Sequence, residues 1–178
     1  VSYLKESGLD NIYVIGSDSF RDELKSNGFR IVDNASADNL VVGLDTEFNY
    51  HKISNALLIL LKGGKFIVCN EDSSFPVGQN RYMPGCGAIV GAIASSANKK
   101  PDYIVGKPNT YMLSKIARAN KVKNYEIVVI GDSSESDIQM AINYNCKGVL
   151  INSNCFHTNE NVLVTENLNK LLNYMRKD

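Results

Sequence analysis

No apolar run in this sequence approaches the roughly 18 residues that a membrane-spanning helix requires. The longest, Ala56–Leu61, is amphipathic, so the chain is not expected to enter a bilayer. The first residues, Val1-Ser2-Tyr3-Leu4-Lys5-Glu6, lack the charged-then-apolar pattern of a signal peptide. They also lack a methionine, and the true start is expected upstream. An excess of one charge is missing too. Nineteen basic and nineteen acidic residues cancel, so no basic face is advertised for nucleic acid or an anionic membrane. Cys69, Cys86, Cys146 and Cys155 show no C-x-x-C or zinc spacing. Free thiols in a reducing cytosol are the simplest reading, which makes the protein cytoplasmic. The phosphate-loop pattern G-x-x-x-x-G-K-[ST] is absent, and Gly63-Gly64-Lys65 follows a helix rather than a strand, the wrong context for one.

What is present is an alternation of strands and helices. With 44% hydrophobic and 21% charged residues, the chain reads as soluble and globular, and its 178 residues make one ordinary domain or two small ones. Ile12–Ile15 is a short apolar strand, and Ser19 with Asp22 fits a capping box opening a helix that Gly28 can end. Leu40–Leu44 is a second strand. Ile53, Ala56, Leu57, Leu60 and Leu61 then recur at helical spacing, stopped by Gly63-Gly64. Phe66–Cys69 is a strand, Asn70–Pro84 a polar loop rich in Pro and Gly, and Gly85–Ser96 a helix of small residues. Lys99-Lys100-Pro101 is the best candidate for a domain boundary. Beyond it come strand Tyr103–Val105, a helix opening at Pro108, strand Ile127–Ile130, a helix Asp137–Asn145, strand Val149–Ile151, and a final helix carrying Leu168, Leu171, Leu172 and Met175. This order predicts a parallel, doubly wound α/β architecture, in which ligands bind at the carboxyl ends of strands.

Several polar residues occupy such ends: Asp45, Asn70, Lys107 and Asp132. In "IVVIGDSSESDI", Asp132 ends a strand and Asp137 follows five residues later, so two carboxylates share one turn. Magnesium is typically held by one or two carboxylates plus phosphate and water, and this pair suffices in number. The plainer alternative is that Asp132 merely ends a strand while Asp137 caps the next helix near its positive N-terminal end. Lys107, between Gly106 and Pro108, is placed to put a compact positive charge on a phosphate. The plainer alternative, a solvated surface lysine, holds for most lysines.

Together, "GKP" and, about 24 residues later, "GDxxxxD" are far more specific than either half. In this order and spacing they resemble the third and fourth motifs of the haloacid dehalogenase (HAD) phosphatase superfamily. The stretches "YVIGSDSFRDELKSNGF", "VVGLDTEFNYHKISNAL", "FIVCNEDSSFPVGQNRYMPGCGAI" and "VGKPNTYML" are similar, in order, to its 4-nitrophenylphosphatase branch, which includes phosphoglycolate and pyridoxal phosphate phosphatases. The resemblance runs from Tyr13 to Ile151.

That resemblance implies a HAD-like Rossmannoid core, of which only the C-terminal half is present (residues 101–178), and an α/β cap (residues 1–100) that excludes water and selects the substrate. It implies an aspartate nucleophile that forms an aspartyl-phosphate, a second aspartate two residues later as general acid and base, and Mg²⁺ bridging these to the later "GD" aspartate. Residue by residue, Lys107 would grip the phosphate, Asp132 would bind Mg²⁺, and Asp137 would support the loop or add a second carboxylate to the metal. Substrate contacts are expected in the loop Asn70–Pro84, with Asn70 and Phe75 as candidates. Some relatives carry a histidine where Phe75 stands, and this difference hints at a different leaving group. The resemblance implies a small phosphorylated metabolite as substrate, and relatives often dimerise through their caps.

The D-x-D-G-T motif that carries the nucleophile is absent from these residues. The nearest imitation, Asp45-Thr46-Glu47, aligns with the cap, and Glu47 is one methylene too long for the general acid. A further segment of about 80–100 residues is therefore expected upstream, or another chain must cover the strand bearing Asp132, which otherwise presents an unpaired apolar edge. By this reading the chain is an inactive fragment of a phosphatase. The competing reading is a non-catalytic HAD-derived module for binding or regulation. A response-regulator-like protein would need an acidic cluster on early strands, and the sequence shows none.

Overall fold

In the computed structural model, which describes residues 1–79, 81–151 and 160–175, the chain divides into two compact units, Val1–Val105 and Gly106–Asp178. The first contains α1 (Ser2–Glu6), β1 (Asn11–Ile15), α2 (Asp18–Ser26), β2 (Arg30–Ile31), β3 (Asn39–Val42), α3 (Tyr50–Leu61), β4 (Phe66–Val68), β5 (Ser74–Pro76), β6 (Tyr82–Pro84), α4 (Cys86–Ala97) and β7 (Tyr103–Ile104). Five of its strands form one sheet in the order β2-β1-β3-β4-β7, and every pairing in it is parallel.

Alternation along the strands splits the core in two. Tyr13, Ile15, Leu40, Val42, Phe66 and Val68 face α3 and α4, meeting Ala56, Ile59, Leu60, Ile89 and Ile93. Their neighbours Ile12, Val14, Val41 and Ile67 face the other way, onto Leu4 of α1 and Leu24 of α2. Each fully buried side chain of this size contributes about 1.5–3 kcal/mol.

Several local expectations are corrected. Ser17, not Ser19, caps α2: its hydroxyl accepts the Phe20 N–H at 3.3 Å. The buried stripe of α3 runs through Asn55, Ala56, Ile59 and Leu60, so Leu61 is exposed rather than packed. The loop after β4 contains an antiparallel hairpin, β5–β6, whose strands each end in a proline, a residue that reads as loop. Residues 103–104 pair with β4, through Ile67 with Tyr103 and Val68 with Ile104. The first unit therefore extends past Lys99-Lys100-Pro101 to Val105.

The second unit contains α5 (Tyr111–Asn120), β8 (Val128–Gly131), α6 (Gln139–Tyr144), β9 (Lys147–Ile151), β10 (Val162–Thr165) and α7 (Leu168–Met175). Its sheet is parallel, in the order β10-β9-β8. Val129 packs with Leu113, Met140, Ala141 and Cys146. Of the apolar residues read on the last helix, Leu171 is buried while Leu168 and Leu172 are exposed. The side chain of Met175 lies outside the described residues, as does Cys155. The strand β10 escaped the sequence reading. Pro108 does not open a helix: α5 begins three residues later, at Tyr111.

Among the described residues β8 pairs with β9 alone, so its other edge is open. Val128 and Ile130 on it are 50% and 51% exposed. Cys69, Cys86 and Cys146 are free thiols. No helix among the described residues is long and apolar enough to cross a membrane.

Candidate active site

The parallel run Val128–Gly131 delivers Asp132 to the loop beyond the carboxyl end of β8. The chain then enters a widened, π-type turn, Ser134–Ile138, before α6. Ser133 caps this turn by accepting the Ser136 N–H at 3.2 Å. Asp137 is therefore not the cap. It lies within the turn, 8% exposed, and folds back toward the strand.

Both of its oxygens are engaged. Oδ1 accepts from the Lys107 ammonium at 2.6 Å, and Oδ2 accepts the Ser133 N–H at 3.3 Å. This return needs a bare backbone at Gly131, where a Cβ would collide with the Asp137 carboxylate. The pair Lys107–Asp137 thus joins the residue after Gly106 to the loop after β8, 30 positions further on. Charge-assisted bonds of this length are about twice as strong as neutral ones.

Asp132 differs in every respect. It is exposed, and no hydrogen bond or ion pair involves it among the described residues. The sequence reading offered Asp132 and Asp137 together as oxygen ligands. The structure commits Asp137 to Lys107 and Ser133, which leaves Asp132 as the carboxylate with open coordination. Among the described residues no three His, Cys, Asp or Glu side chains converge to cage a metal. Magnesium does not need such a cage: one carboxylate with phosphate and water oxygens is a usual set, and Asp132 fits it.

Asn70 and Phe75 belong to the first unit. Asn70 follows β4 and accepts the Asp72 N–H at 3.2 Å, while Phe75 lies half-buried on β5. Asp45, the imitation nucleophile, has no free oxygen. It is 6% exposed, pairs with Lys52 at 2.7 Å and accepts the Glu47 N–H at 2.9 Å. Two of these residues were missed from sequence. Ser133 was read as part of a spacer, although a serine opening a turn is an ordinary cap signal. Lys52 lies on the helix that follows Asp45, and nothing in the spacing announces that the two meet.

A HAD-hydrolase-like family model matches residues 104–171. The acid sugar phosphatase of Staphylococcus epidermidis is 34% identical over 132 residues, covering 74% of this chain and 50% of the relative. The sugar-phosphatase AraL of Bacillus subtilis is 34% identical over 151 residues, covering 83% and 54%. In three dimensions, a double mutant of the thermostable NPPase of Geobacillus stearothermophilus superposes with a TM-score of 0.82 at 27% identity, covering 92% of this chain and 67% of that one. The chain spans about half the length of the curated relatives it matches.

Proposed function

The chain belongs to the haloacid dehalogenase superfamily, in its 4-nitrophenylphosphatase branch, and from that premise we propose that it forms part of a Mg²⁺-dependent phosphomonoester hydrolase. The observation that carries this reading is the loop after β8, where a half-buried Lys107 pairs with a buried Asp137 beside an uncommitted Asp132. The preferred substrate class is a sugar phosphate, in line with the names of the acid sugar phosphatase and AraL.

Each residue then has a task. Lys107 presents an ammonium with three donors, and Asp137 fixes where that charge sits. A fixed cation stabilises the charge on a transferring phosphoryl group without reorganising during the reaction. Asp132 would hold Mg²⁺, which when bound would neutralise phosphoryl oxygens and orient the ester. Ser133 and Gly131 keep the loop in the shape that lets Asp137 reach Lys107. Unit 1 serves as the cap, with Asn70 and Phe75 as candidate substrate contacts. A cytosolic location and a homodimer through unit 1 belong to the same reading, supported by the free thiols and by exposed Tyr82 and Met83 on the β5–β6 hairpin. No nucleic-acid or membrane partner is proposed.

The nucleophile is to be sought outside these 178 residues, which contain no D-x-D-G-T and whose Asp45 is fully bonded. The test is hydrolysis of 4-nitrophenyl phosphate by this chain, with and without Mg²⁺, beside Asp132→Asn. Neither protein is expected to turn over. Magnesium-dependent turnover that disappears in the variant would place a nucleophile within these residues. The absence of D-x-D-G-T also favours a second reading, a non-catalytic module retaining the cap. An adjoining coding segment with that motif would exclude it.

A further inference from the structure

The carboxyl ends of β1 and β3 carry a feature that the phosphatase reading leaves unused. From β1 the chain runs through α2 to β2 on one side, whereas from β3 it runs through α3 to β4 on the other. Leu24 of α2 belongs to one core, and Ala56, Ile59 and Leu60 of α3 belong to the other, so the two helices cover opposite faces. In doubly wound sheets a crevice opens outside the strand ends where the winding reverses, and ligands bind there. Unit 1 has such a crevice, about 540 Å³ in volume, with Asp18, Arg21, Asp45, Thr46, Glu47 and Lys52 in its walls. Bonds from Gly43 N–H to Ile15 O (2.8 Å) and from Ser17 N–H to Leu44 O (3.1 Å) join the two strand ends beside it.

The walls are fixed by their own charges. The Arg21 guanidinium donates to Val14 O at 2.8 Å and pairs with Asp33. Lys52 is held by Asp45, as described above. Both cations are thus neutralised in place. The Asp18 and Glu47 carboxylates and the Thr46 hydroxyl remain, each exposed and with no side-chain partner among the described residues. The Asp18 N–H in the first turn of α2 adds a donor beside them, whereas the Ser17 and Phe20 N–H groups are already engaged. The uncompensated charge is negative, which disfavours phosphate and other anions. Acceptors and donors set side by side suit hydroxyl groups, each of which both donates and accepts.

We propose that this crevice, formed by unit 1 alone, binds a neutral polyhydroxylated small molecule of the sugar type. The site stands whether or not the chain hydrolyses a phosphate ester. The test is a titration of the ¹⁵N-labelled 178-residue chain with D-glucose, D-ribose and D-glucitol at millimolar concentrations, beside inorganic phosphate. At least one polyol is expected to shift the amides of Ser17–Asp18 and Thr46–Glu47 saturably, while phosphate leaves them unmoved. Asp18→Ala combined with Glu47→Ala should weaken that binding roughly tenfold or more, with amides elsewhere unchanged. Should the double variant fail to fold, Glu47→Ala alone, in an exposed loop, carries the same comparison. The proposal is overturned if no polyol moves these amides, if phosphate moves them instead, or if the variants bind unchanged.

Discussion

Two aspartate–lysine pairs sit beyond strand ends, and they differ in what they leave behind. In unit 1, the pair is Asp45–Lys52 at 2.7 Å, beyond β3; in unit 2, it is Asp137–Lys107 at 2.6 Å, beyond β8. In unit 1 the acid nearest the strand is itself the paired one, and its other oxygen takes the Glu47 N–H. In unit 2 the pair uses the second acid, five residues later, and the strand-end Asp132 stays open to a ligand. A carboxylate at a strand end is therefore not a site by position alone. What decides is which acid the neighbouring lysine takes.

The largest effect should come from breaking the more buried pair. Lys52→Met leaves the Asp45 carboxylate buried without its cation, and a loss of about 3 kcal/mol is expected in urea denaturation. Gly131→Ala attacks the other pair through the backbone: the added methyl displaces Asp137 from Lys107, at a cost of about 1–3 kcal/mol. A third pair sharpens the contrast because it is more open to water. Burial raises the pKa of Asp102, but the Lys99 ammonium at 2.9 Å and the Phe66 N–H outweigh it and hold the carboxyl below its ordinary value. A depressed folded-state pKa contributes stability that is present above the unfolded value and lost as pH falls through the folded one. Asp102→Asn should flatten that acid limb of a stability-against-pH curve and leave stability near neutral pH only slightly lower. Asp132→Asn should change stability by no more than about 0.5 kcal/mol, as expected for an exposed, unbonded side chain.

Much of this was legible in the sequence, and the reasons are specific. The parallel α/β class follows from apolar runs such as Leu40–Val42 and Phe66–Val68 alternating with amphipathic stretches, because burial on both faces of a strand leaves that mark. Lys107, Asp132 and Asp137 were singled out because "GKP" and "GDxxxxD" occur together in order. The pairing of Asp137 with Lys107 was not legible, since it depends on a π-type turn that swings Asp137 back across Gly131. Strand β10 was passed over although it is as long as the strand read at Ile12–Ile15, and the hairpin β5–β6 was hidden by the proline that ends each of its strands within a polar loop. The crevice of unit 1 was also hidden, because it depends on strand order, which the alternation of elements does not specify.

The most direct measurement is a Mg²⁺ titration of the ¹⁵N-labelled chain, comparing the loop after β8 with the loop after β3. The account predicts saturable shifts at Gly131, Asp132 and Ser133 that Asp132→Asn abolishes, and none at Asp45–Glu47. Shifts at Asp45–Glu47, or shifts beyond β8 that survive Asp132→Asn, would contradict it.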